Sequence, residues 1–216
     1  MNNYLNGKNQ KSNDIYNSNM FYSRNSRLLN NIPENTGNTV ISHKEMQYAV
    51  DVPINLAKSL EGKYFLGYAD YLPFGEGTNT WARLYNPENS SVNLHVTVWT
   101  VSDISQTSYT AQMWFNSTPP GLAQESSNVT PANTAIVPLP APQVKLQYGS
   151  SVRGLPLGGV LAFIRRGQPG VTMLDDEQGK FIFPPGGSFM IMLSNPQTPA
   201  RLASGSIAFG WWEEPI

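Results

Sequence analysis

Two histidines, two short acidic clusters and five tryptophans are the residues of this 216-residue chain whose types and spacing could do chemistry. Acid–base catalysis and metal binding both need side chains that converge, so each group can be tested against the geometry its chemistry requires. Neither His43 nor His95 has a sequence partner suggesting a triad or a metal pair, and both read as surface or structural histidines. Asp175, Asp176 and Glu177 could give oxygen ligands to Ca²⁺, but their spacing matches no calcium loop, which leaves a solvated turn. Glu213 and Glu214 form the other acidic pair. Neighbours on a strand point to opposite faces, so these two cannot serve jointly as acid and base on one substrate. Gly186 and Gly187 lack the lysine and helix of a phosphate loop. With no cysteine there is no disulfide, thiolate metal site or cysteine nucleophile. The expectation is a protein that is not an enzyme, with no catalytic residue, no metal and no cofactor.

The tryptophans are the remaining group. Trp81, Trp99, Trp114, Trp211 and Trp212 all fall in strand-like runs, where a large aromatic serves a core or a subunit interface. In 91–101 the residues Val92, Leu94, Val96 and Val98 share one face, while Asn93, His95, Thr97 and Trp99 share the other. Trp99 is therefore expected to face outward. Trp211 and Trp212 must point to opposite faces, one inward and one outward. Trp99 and Trp212 are candidate subunit-interface residues, and the weaker alternative is that they stack on a glycan.

Period-two alternation recurs through the body, with Gly, Pro and Asn between the runs. Strands are expected at 46–52, 64–69, 81–85, 91–101, 109–115, 143–148, 160–164, 171–174, 180–183, 189–193 and 206–212. A polar hairpin connection, Asp175 to Gly179, is expected between two of them. A helix fits 54–60, limited by Pro53 and Gly62 to about two turns. The proline-rich stretch 116–142 cannot be a central strand and reads as a crossing between sheets, with a short strand at 134–137 inside it. Many short antiparallel strands and one long crossover predict an all-β, jelly-roll type two-sheet sandwich over residues 46–216.

Residues 1–45 differ from that body. Twelve asparagines lie among the first 38 residues, and the apolar residues are too dispersed to bury a core. This segment reads as an extended arm, able to span on the order of 130 Å, whose anchors on a neighbour would be Ile15, Tyr16, Met20, Phe21, Tyr22, Leu28, Leu29 and Ile32. It lacks the pattern of a secretory signal, and no run is long enough to cross a bilayer as a helix. A net charge of −1 with 13 % charged residues supplies no basic field for nucleic acid or an anionic membrane. Triplets at Asn89, Asn116 and Asn128 match a glycosylation acceptor, but an Asn-, Ser- and Thr-rich chain produces these by chance.

The runs Trp81–Pro87, Ser91–Leu94, Pro184–Gly187 and Ala208–Glu213 resemble a family of small uncharacterised proteins from spore-forming Firmicutes. In plan, an N-terminal connector on a jelly roll, the chain also resembles the subunits of endospore appendages, although those carry cysteines that cross-link the fibre and this chain has none. The resemblance implies a homopolymer in which the arm of one copy docks on the next, at an extracellular or spore-surface location reached without a signal peptide. The alternatives are a carbohydrate-binding module and a viral capsid or tail protein.

Overall fold

The computed structural model describes residues 51–216 apart from Ile104 and Gln106. The arm with its eight anchors, His43 and the strand expectation over 46–50 lie outside the described residues. Pro53 stands ahead of helix α1 (Ile54–Leu60), where its fixed φ of −54° and missing N–H cost nothing. Gly62, at φ 72°, ends that turn where a side chain would collide with Ile136 and Pro140. The strands follow as β1 (Tyr64–Phe74), β2 (Asn79–Tyr85), β3 (Val92–Asp103), β4 (Tyr109–Phe115), β5 (Gln124–Glu125), β6 (Val129–Pro131), β7 (Lys145–Val152), β8 (Val160–Gly167), β9 (Thr172–Phe183), β10 (Ser188–Ser194) and β11 (Ala203–Pro215).

These strands pair antiparallel in two sheets, β6-β1-β11-β3-β9 and β5-β7-β2-β10-β4-β8. Setting aside β5 and β6 of the crossing and the β7 that follows it, eight remain, ordered β1-β11-β3-β9 and β2-β10-β4-β8. Each step from β1 to β4, and again from β8 to β11, moves the chain to the opposite sheet. This is the doubly wound Greek key of a jelly roll, as the alternation predicted.

The inward faces meet in one core. Phe65, Leu94, Val96, Trp99, Ile207, Phe209 and Trp211 come from the first sheet and pack on Leu84, Ala111, Met113, Leu146, Phe189 and Ile191 of the second. Phe115 sits edge-on to Phe181 and Phe183, each with ring centres 5.1 Å away. Each such side chain removed from water contributes about 1.5–3 kcal/mol, set against the entropy of ordering its strand.

Three expectations are corrected by the strand register. Trp99 is a core residue, 1 % exposed. The cause is a bulge: on β11, Trp211 pairs with Val96 and Gly210 with Val98, so Thr97 has no opposite residue, and its hydroxyl donates to the Gly210 carbonyl at 2.7 Å. One extra residue reverses the alternation, sending Trp99 inward and Val98 outward. The hairpin expected at Asp175–Gly179 is instead an excursion within one strand, β9. Val96 pairs with Phe181 and Val98 with Asp176, so residues 177–180 bulge opposite Thr97 alone, with Gln178 and Gly179 at φ 52° and 77°. Residues 134–137 form a turn, because the Asn133 side chain accepts the Ala135 N–H and prolines follow at 138 and 140. The crossing's strands are β5 and β6.

Candidate interaction surface

The outer face of the first sheet divides into a covered end and an open groove. At the covered end Trp212 stacks on His95, ring centres 3.6 Å apart and planes 10° from parallel, while the Lys58 ammonium lies 5.2 Å from the indole centre. Glu214 Oε2 is 3.1 Å from His95 Nε2, and the Gly179 carbonyl oxygen is 3.3 Å from Nδ1. Trp212 faces away from the core, as expected of one member of the 211–212 pair, but it is only 7 % exposed. Its partner Trp211 is fully buried in the core. Neither Trp99 nor Trp212 offers a free ring face.

Two residues along β11 the cover stops. Leu66 and Tyr68 of β1, Ala208 of β11 and Val98 of β3 line a groove of about 420 Å³, walled on one side by Asn128 and Val129. Beside it Gly210 lets the Tyr64 hydroxyl and Val98 close over the strand, since a methyl group there would lie 2.7 Å from both. Asp176, cross-strand from Val98, and Asp70, beyond Tyr68, are exposed at the groove's rim. The sequence signal for this groove was visible only in part: Leu66, Tyr68 and Ala208 are apolar at outward positions, but Val98 joins them only because of the Thr97 bulge.

The outer face of the second sheet is covered by the chain's own crossing. Trp81, Met190 and Met192 point away from the main core yet are fully buried, with Val152 and Trp114 packed beside them. The indole N–H of Trp81 donates to the Pro120 carbonyl at 2.8 Å, and Thr118 and Leu157 bridge the two limbs of the cover, 117–122 and 152–158. On its outer side this cover leaves Leu122, Leu155 and Leu157 in water, at 88, 62 and 73 % exposure.

Strands β8 and β9 end the two sheets on the same flank, and among the described residues each has a strand partner on one side only. Val160, Leu161 and Ile164 of β8 are exposed, as are Leu174 and Ile182 of β9. Arg165 spans the flank to Asp175, at 3.5 Å.

The acidic residues serve the fold. Glu213 is buried and accepts the Gln143 and Val144 N–H groups at 3.0 and 2.9 Å, tying the start of β7 to β11. Burial pushes its carboxyl above the usual range, and those N–H bonds and one from Trp211 oppose the rise. Glu177, buried in the β9 excursion, accepts the Trp99 indole N–H at 3.3 Å and is likewise raised by burial. Glu213 and Glu214 do point to opposite faces. Among the described residues no group of three or more His, Asp or Glu side chains could hold a metal ion, and no helix is long and apolar enough to cross a membrane.

The fold and its surfaces define a two-sheet jelly-roll protein with apolar outer patches. The chain belongs to DUF6143, a family of unknown function, which matches residues 37–216. No curated protein and no solved structure matches it.

Proposed function

We propose that this protein is a non-enzymatic structural subunit that assembles with copies of itself into a filament outside the cell or on a spore surface, the N-terminal arm of one copy docking on the next. The observation that carries the reading is the flank formed by β8 and β9, two strands that among the described residues each have a strand partner on one side only and that bear exposed aliphatic side chains. Such edges are templates for an added strand, whose main-chain hydrogen bonds give affinity and whose alternate side chains set register. The dispersed anchors Ile15, Tyr16, Met20, Phe21, Tyr22, Leu28, Leu29 and Ile32 suit that role. An arm on one copy and an acceptor on the next make a heterologous contact, which closes as a ring or propagates as a filament.

Electron microscopy of the full chain beside a chain lacking residues 1–38 tests this reading. Filaments are expected from the first and single particles from the second. Filaments from the shortened chain would remove the arm from the assembly.

A further inference from the structure

We infer a second self-contact, made by the sandwich bodies: the leucine ridge on the crossing of one copy seats in the outer groove of the next. This inference rests on the reading that the chain self-assembles and adds to it a body-to-body contact that does not involve the arm.

The ridge and the groove lie on the outer faces of opposite sheets. The ridge covers β2 and β10 of one sheet, while the groove runs over β1, β11 and β3 of the other. Two different patches on opposite faces cannot satisfy each other within a closed pair. Each added copy buries one ridge and one groove and presents a fresh one of each, so the contact propagates.

Both patches call for apolar cover. Leu122, Leu155 and Leu157 are exposed on segments held down by the Trp81 bond to the Pro120 carbonyl and by the bridge between Thr118 and Leu157. Clustered aliphatic exposure of this kind marks an interaction site. The groove offers Leu66, Tyr68, Val98 and Ala208.

The charges agree with this pairing. The groove's rim carries the exposed carboxylates Asp70 and Asp176, whereas the ridge side carries exposed Arg153 within the cover and exposed Arg166 on β8. Stacking ridge on groove brings opposite signs together, and stacking like faces would oppose like signs.

The absence of cysteine from the chain makes the contact directly testable by cross-linking. Full-length Tyr68→Cys and full-length Leu157→Cys are mixed under mild oxidation. A disulfide dimer joining one copy of each is expected, about tenfold or more above the dimers each variant forms alone. Independently, Leu155→Asp and Tyr68→Asp should each weaken wild-type association by about tenfold, and a mixture of these two variants should form one-to-one pairs through the intact ridge and groove that remain. Wild-type filaments with no mixed disulfide, and with both aspartate variants assembling normally, would overturn this contact while leaving the arm reading in place. A wild-type chain that stays single at high concentration would overturn both.

Discussion

At the scale of single residues, Glu213 shows how a group that looks chemical becomes structural. Its two oxygens accept N–H groups from Gln143, Val144 and Trp211, so it anchors the end of the crossing to the C-terminal strand. Glu213→Ala leaves those buried donors without partners, and the expected loss is about 2–4 kcal/mol in a urea unfolding experiment. The raised carboxyl also fixes a pH dependence. In the unfolded chain this group ionises near 4.5, and in the folded chain it does so at higher pH. As pH rises from below 4.5 through the native value, the unfolded state releases its proton first, so the stability this group contributes is full at low pH and is lost across that window. Glu177 acts in the same direction. Glu213→Gln cannot ionise, so its urea midpoint relative to wild type should rise with pH over the same interval, and a constant difference would refute the assignment.

At the scale of elements, what was legible in the residues is what local chemistry decides. The helix 54–60 is bracketed by Pro53 and Gly62, and strand 109–115 alternates cleanly against turn residues, so both match their expected bounds. Trp99 was not legible. Its direction depends on Thr97 having no opposite residue on β11, a fact about a strand more than a hundred positions away. The 175–179 segment was half legible: Gln178 and Gly179 do adopt the left-handed backbone that a reversal uses. Nothing local says whether the flanking runs pair with each other or with a shared third strand, and here both remain on β3. The excursion yields its own test. Gly179 has φ 77°, and a methyl group there would sit 3.0 Å from the Trp212 indole nitrogen. Gly179→Ala should cost about 1–2 kcal/mol and lower the melting temperature, while Gly170→Ala, also at positive φ but in open space, should cost less.

For the whole molecule, the sandwich closes its core against itself and leaves its apolar surplus on two outer faces and one flank. The residues singled out from sequence fare unevenly against that plan. Trp99 is in the core and Trp212 is covered on the outer face, whereas Leu122, Leu155 and Leu157 are exposed on the cover of the second sheet. Their significance was hidden because exposure of a crossing follows from which face it drapes, and that depends on Trp81 being turned outward and needing a lid. An assembly built on such surfaces contains no disulfide, so reducing agent should leave its length distribution in micrographs unchanged. Shortening under reduction would point to another component.

The position of β11 has a further consequence for how the subunit is made. It lies between β1 and β3, and both register with it over most of their length. While a ribosome is still translating the residues before Ala203, β1 and β3 have no strand to join them, and neither the floor of the groove at Ala208 nor the core position of Trp211 exists. The groove thus comes into being only after β11 has been synthesised.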